Sequence, residues 1–328
     1  MTRYVVIGAG ALGGLLAAEL HSSGVESLLV ARGAHGEAIR TGGLRIRRPD
    51  VTDVVRLPVA SGPDEVDLRP DDVLVLGVKA QDVETVLQAW SWLPVEGGGV
   101  AADLPVLTLQ NGLATEDAVL RRFGEVYAAT AWIAASHLSP GEVVSPSWPT
   151  VGIIWLGRHH SGTDERAGQI AADLRGARFG ATAVDDIAAW KAHKLRGNIT
   201  NGLDLFAGSA DDLAEAGALL VAELDNVFAA AGIEVVDPAT AVPDLPALEI
   251  GTVPDHEHRR STWQSFARGA GSEVDHLNGE IVLLGRRHGV PTPVNEALQR
   301  ALGARSAAGA STEPIDVRIL LDPAMQPI

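Results

Sequence analysis

Tyr4-Val5-Val6-Ile7-Gly8-Ala9-Gly10-Ala11-Leu12-Gly13, with the apolar run Leu15 to Leu20 behind it, reads as a strand, a glycine turn and a helix in that order. The β-branched run predicts the strand, and glycine recurs where such a turn needs it. Gly8 permits the tight turn, Gly10 lets backbone approach a pyrophosphate, and Gly13 lets the helix lie close on the sheet. The N-terminus of the helix that follows presents unpaired N–H groups and the positive end of its dipole to that turn, which suits an anion. A second strand, Ser27 to Ala31, follows as a βαβ unit requires, so the glycine pattern stands in the context that gives it meaning. Gly8, Gly10, Ala11, Leu12 and Gly13 are therefore expected to bind a dinucleotide cofactor.

The residue that closes the second strand sorts one nicotinamide cofactor from the other. An acidic side chain there accepts hydrogen bonds from the ribose 2′-hydroxyl of NAD, whereas Arg32 can pair bidentately with a 2′-phosphate. NADP(H) is the expected cofactor.

At 328 residues the chain is long for one compact core, and two domains are expected. The absence of cysteine excludes disulfides, thiolate metal sites and cysteine nucleophiles. No charged leader precedes the first strand and no apolar run reaches ~18 residues, so neither an export signal nor a membrane span is expected, and a cytoplasmic location is. The formal net charge of −16, from 42 acidic against 26 basic residues, lacks the positive footprint that a nucleic-acid partner requires. An anionic small molecule would depend on local cations.

Residues 1–184 alternate short strands with helices. Val73 to Val78, Val106 to Leu109, Val126 to Ala135, Val151 to Leu156 and Ala181 to Val184 read as strands, with helices over Asp82 to Trp90 and Glu116 to Phe123. That alternation predicts an α/β domain with a doubly wound parallel sheet of Rossmann type. Residues 185–328 change to helices: Ile187 to Leu203, Asp211 to Ala231, Thr262 to Arg268, Glu273 to His288 and Val294 to Ser306. The proline-bearing segment Asp237 to Pro254 reads as a loop, and the tail beyond Ser306 ends in a short apolar stretch suited to docking as a strand.

Ligands of an open α/β sheet collect outside the carboxyl ends of its strands. Lys79 follows one such end and Asn111, in Gln110-Asn111-Gly112, another. A lysine there can hold an anion or a polarised carbonyl, and an asparagine can donate one hydrogen bond and accept another. In the helical half Lys194, Asn198 and Asn201 recur at i, i+4 and i+7, which places them on one face of a continuous helix. Ser261 and Glu273 flank a short helix, and Ser272 can cap the next one with Glu273 in its first turn.

These residues together resemble the ketopantoate reductase (2-dehydropantoate 2-reductase) family, within the wider 6-phosphogluconate-dehydrogenase-like group. The resemblance runs from the first strand to about Ala301 and is carried by Gly8 to Gly14, Gly77-Val78-Lys79-Ala80, Gln110-Asn111-Gly112, Lys194 with Asn198, and Ser261 with Ser272-Glu273-Val274-Asp275-His276-Leu277-Asn278-Gly279. It implies NADPH-dependent reduction of a branched 2-oxo acid, ketopantoate first, with Lys194 as general acid. Glu273 would hold the substrate's hydroxyl end and orient the lysine, and Ser261 would bind the carboxylate or hydroxyl. Asn111, Asn198 and Asn201 would bind substrate, Asn111 and Lys79 would lie beside the cofactor, and domain closure would exclude water. A homodimer is compatible with the helical half.

Two departures bear on the substrate. Asn201 stands three residues after Asn198 where the family more often has four, and Trp263 stands near Ser261 where the family more often has a methionine- or leucine-like side chain. Trp190, His193, His256 and His258 are further candidates for the pocket. A dehydrogenase of another 2-hydroxy acid or an opine-like compound would share every motif. A nucleotide-responsive binding protein without chemistry predicts a damaged acid site, and Lys194 and Glu273 are both present. His159-His160 and His256-x-His258 offer no third ligand in the sequence and read as solvated loop histidines, so no metal is expected. No G-x-S-x-G elbow exists for a hydrolase.

Overall fold

Arg3–Ile7 (β1) is buried along its whole length, Val5 to Ile7 as an apolar run in the middle of a parallel sheet must be and Arg3 through its pairing with Asp72. The computed structural model describes residues 2–238, 246–256 and 259–322. Its main sheet contains β1, β2 (Ser27–Val30), β5 (Val59–Ala60), β6 (Asp72–Leu76), β7 (Val106–Thr108), β8 (Val126–Trp132), β10 (Gly152–Arg158) and β11 (Phe179–Ala183). A smaller sheet contains β3 (Leu44–Arg47), β4 (Thr52–Val55) and β9 (Glu142–Val144). The main order is β11-β10-β8-β7-β6-β1-β2-β5. From β1 the chain builds outward through β2 and then, on the other side, through β6. The switch point between them lies beside the glycine turn, where ligands of such sheets bind.

Successive side chains of β1 serve opposite faces. Tyr4 and Val6 pack with Leu15, Leu16 and Leu20 of α1 (Ala11–Ser22). Val5 and Ile7 pack with Val83, Leu87 and Trp90 of α3 (Val83–Trp90). Helices α2 (Gly33–Gly42), α4 (Thr115–Leu120) and α5 (Glu165–Gly176) complete this unit. The sheet departs from an all-parallel one at a single pairing, because β10 runs antiparallel to β8 and β11 follows β10. The segment joining β8 to β10 carries β9 and no crossover helix, so the chain returns in the opposite direction.

The chain divides into Met1–Gln110, Thr115–Trp190 and Pro238–Glu257 as one unit, and Asn111–Ala114, Lys191–Asp237 and His258–Ile328 as the other. The division falls inside α6 (Ile187–Asn198) and not at 184/185. The Trp190 ring stacks on Trp155 of β10, 4.3 Å between centroids at 15°, which ties the first turn of that helix to the sheet. In the second unit the rest of α6, α7 (Ala210–Ala231), α8 (Ser261–Ala267), α9 (Asn278–His288), α10 (Pro293–Ala307) and α11 (Arg318–Leu321) enclose Leu195, Ile199, Leu220, Leu224, Phe266, Ile281 and Leu298. The tail docks through a two-residue strand, Ile315–Asp316, paired in parallel with Phe206–Ala207, whereas the apolar stretch after it is the helix Arg318–Leu321 and not the strand expected. Among the described residues no helix is long and apolar enough to cross a membrane.

Candidate active site

The first unit holds a cavity of about 370 Å³ whose wall includes Gly8, Ala9, Gly10, Arg32, His35 and Trp90. Two glycines of the turn, Gly8 and Gly13, have a steric reason within the fold, and Gly10 does not. Gly8 adopts φ +108°, and a Cβ on Gly13 would stand 2.1 Å from the Gly8 carbonyl oxygen, a backbone atom. At Gly10 a Cβ would meet nothing within 4 Å. The open space beside Gly10 is therefore not needed by the fold, and it faces the cavity. No side chain caps α1, and its first turn carries no acidic residue, so the first N–H groups of Ala11, Leu12 and Gly13 keep their capacity for an anion. Arg32 is exposed at the N-cap of α2 and lines the same cavity. The residues present fit a dinucleotide.

Lys79 follows Val78 in the loop after β6, half-buried, and does not itself form the wall. Gln110, quoted above only as the neighbour of Asn111, holds that loop in place. Gln110 is buried and its Nε2 donates to the carbonyls of Leu76 and Val78 at 2.7 and 2.8 Å, joining the turns after β6 and β7.

In the second unit Asn198 Nδ2 donates to Asn111 Oδ1 at 3.3 Å, so these two candidates meet. Gly112 makes the approach possible: it adopts φ +85°, and a Cβ there would stand 2.3 Å from the His276 carbonyl oxygen. Lys194 is half-buried on α6. Its surroundings disfavour charge and, with repulsion from Lys191, lower its pKa from 10.5 to about 7, while Glu273 opposes the fall. Arg268 is likewise pushed down by burial and held up by Glu273. Glu273 thus acts on both Lys194 and Arg268, and Lys191 on Lys194 with the opposite sign. Lys191, only 5% exposed, is a residue missed from sequence. Its position three before Lys194 on one helix was legible, but its burial was not.

Asn201 does not share the face of Lys194 and Asn198. The helix ends at Asn198, and Asn201 begins a 3₁₀ turn to Leu205. Asn278 Nδ2 takes the Ile199 carbonyl at 3.0 Å and Arg260 Nη1 that of Thr200 at 3.1 Å, which satisfies carbonyls a longer helix would use. A Cβ on Gly202 would press on Leu302 and Leu298 at 2.9 and 3.0 Å, so glycine lets this turn pack on α10. The helix expected over 273–288 is also broken, into a 3₁₀ turn Val274–His276 and α9. Glu273 itself is the N-cap of that turn and no side chain caps it, so Ser272 is not the N-cap expected and Glu273 does not lie in the first turn; Ser272 Oγ instead accepts from the Val274 N–H at 3.1 Å, a local contact two residues on. Ser261 is exposed as the first residue of α8.

Trp263 packs against the second core with the Arg259 guanidinium 5.5 Å from its ring, and His193 is tied to the Val236 backbone. Trp190 and His256 belong to the first unit, His256 meeting Ser136 Oγ at 2.8 Å, and His258 lies outside the described residues. His159 and His160 do have a third potential ligand: their Nε2 atoms lie 2.9 and 3.6 Å from Asp117 Oδ1. That carboxylate stands 42 residues upstream, out of reach of a spacing argument.

Two family models match, "Ketopantoate reductase PanE/ApbA" over residues 4–160 and its C-terminal counterpart over residues 197–306. A 2-dehydropantoate 2-reductase of Mycobacterium tuberculosis is 30% identical over 325 residues, covering 93% of this chain and 98% of that one. One from Archaeoglobus fulgidus is 28% identical over 307 residues, covering 90% and 95%. Among solved structures, a PanE/ApbA family ketopantoate reductase from Ralstonia eutropha JMP134 aligns with a TM-score of 0.75 at 24% identity, covering 94% of this chain and 99% of that one. D-mandelate dehydrogenase in a ternary complex with NADH and anilino(oxo)acetate aligns with the same TM-score of 0.75 at 25% identity and the same coverages of 94% and 99%.

Proposed function

The chain belongs to the ketopantoate reductase family of oxidoreductases, and from that premise we propose that it reduces a branched 2-oxo acid, ketopantoate first, to the 2-hydroxy acid with NADPH. The observation that carries the reading is the cluster of Lys194, Glu273, Asn198 and Asn111 on one unit, with a lysine whose pKa is lowered to about 7. NADPH, held at the glycine turn, would supply hydride to the carbonyl carbon, which leaves negative charge on the carbonyl oxygen. Lys194 stabilises that charge and gives up its proton to the oxygen, which a pKa near neutrality favours. Glu273 holds the lysine's charge and binds the hydroxyl end of the substrate. Asn198, Asn111 and Ser261 bind the substrate's polar groups, and Asn201 contributes from the turn beyond the helix. The N–H groups of the glycine turn hold the pyrophosphate, and Lys79 and Asn111 serve the nicotinamide end.

The test is oxidation of NADPH over a panel of 2-oxo acids that includes ketopantoate, with product analysis. Turnover with ketopantoate above the other acids supports the proposal, and NADPH left unoxidised by every acid defeats it. A second reading, with NADH and another 2-oxo acid, is favoured by the likeness to D-mandelate dehydrogenase bound to NADH and anilino(oxo)acetate. Arg32 separates the two. Arg32→Gln removes a charge-assisted pair with the 2′-phosphate, so kcat/KM with NADPH is expected to fall ~10–100-fold relative to that with NADH. Equal use of both coenzymes by the unaltered protein would reject the phosphate contact.

Lys191 yields a further expectation. Its charge lowers the Lys194 pKa, so Lys191→Met should raise that pKa. A general acid loses its proton as pH rises through its pKa. The alkaline fall in kcat/KM should therefore move to higher pH in the variant, with little change on the acid side. An unmoved profile would show that Lys191 does not tune the acid.

A further inference from the structure

His35, on α2, sits in the wall of the cofactor cavity with both ring nitrogens engaged. The Gly141 backbone N–H, which can only donate, gives its hydrogen to Nδ1 at 2.8 Å. Nδ1 therefore carries no proton, and the ring's hydrogen is on Nε2. Nε2 stands 2.8 Å from the Ala9 carbonyl oxygen, which can only accept, so it donates there. Both contacts are satisfied at once by one protonation state, the neutral Nε2–H tautomer. The ring also lies against that of His137, 3.9 Å between centroids and tilted at 44°, and His137 Nδ1 in turn meets the Glu142 carbonyl at 2.9 Å. Gly141 is placed for this contact at φ +76°, where a Cβ would stand 2.9 Å from that of Ala38, so a larger residue could not bring its N–H as close to α2.

Ala9 is the middle residue of the Gly8-Ala9-Gly10 turn, and His35 reaches its carbonyl from α2. We propose that His35 is a positioning residue for the coenzyme: in its Nε2–H form it fixes the Ala9 peptide, and through it aims the turn's N–H groups at the pyrophosphate. The inference rests on reading this cavity as the dinucleotide cradle. A residue acting in this way sets coenzyme affinity and leaves the chemical step alone, because it touches neither substrate nor acid.

The experiment measures the Kd of NADPH and of NADH by coenzyme fluorescence on the full chain, without substrate, for the unaltered protein, His35→Gln and His35→Leu. A glutamine amide can accept from Gly141 and donate to Ala9, whereas leucine can do neither. His35→Leu is expected to raise Kd about tenfold, the scale of one lost hydrogen bond with its partner left unsatisfied, and His35→Gln to recover most of that. The coenzyme KM should follow Kd, with kcat at saturating coenzyme changed little. Should His35→Leu fail to fold, His35→Asn replaces it: its shorter amide reaches only one partner, and its Kd must exceed that of the glutamine variant. Equal Kd in all variants, or a loss confined to kcat, overturns the role of His35. Failure of the unaltered protein to bind either coenzyme overturns the cradle reading instead, and this inference with it.

Discussion

Replacing Lys194 by alanine is expected to lower kcat for 2-oxo acid reduction by about 10²–10⁴-fold, the range that a positioned acid contributes. Coenzyme binding should be unchanged, since the glycine turn belongs to the other unit. The fold should not suffer either. The Lys194 pKa is lowered from 10.5 to about 7, so the charged form binds its proton less well in the folded chain than in the unfolded one. That penalty to stability is present in full below about pH 7 and fades as pH rises toward 10.5. At neutral pH the alanine variant is relieved of it. A variant that melts no lower, binds NADPH and does not turn over is the expected result, and near-normal turnover would remove Lys194 from the chemistry.

The two inner glycines of the turn should fail in different ways. Gly10→Ala puts a methyl group where nothing lies within 4 Å, so the protein should melt as before. That space is the one a pyrophosphate's approach uses, so coenzyme affinity should fall by about tenfold or more. Gly13→Ala drives a Cβ to 2.1 Å from the Gly8 carbonyl oxygen, so the helix must move off the sheet. Overpacking of this kind costs about 1–3 kcal/mol or more, and both melting temperature and coenzyme binding should drop. Thermal melts with and without NADPH separate the cases. Equal coenzyme affinity in Gly10→Ala would mean the ligand does not pass that position.

The first βαβ unit was legible because one physical demand selects each residue: β-branched side chains for a buried strand, glycine where backbone must pass backbone. The turn after β7 was legible for the same reason, and Gly112 shows the close approach that required it. What stayed hidden depended on contacts distant in sequence. Asn201 read as part of a helix face because periodicity continued past Asn198, whereas the carbonyls of Ile199 and Thr200 just beyond the helix are bound by Asn278 and Arg260, far along the chain. Lys191 and His35 look like surface residues until burial and hydrogen bonds are known. The short strands β3, β4 and β9 carry too few residues for a period to register, and the reversed direction of β10 follows from a connection without a helix, which no local pattern announces.

The pH dependence of kcat/KM for 2-oxo acid reduction bears most directly on a lysine poised near neutrality as the acid. The account predicts a rate that is high on the acid side, falls as pH rises through about 7, and loses that limb when Lys194 is replaced. A profile flat from about pH 6 to about pH 9, or a limb that survives the replacement, would contradict it.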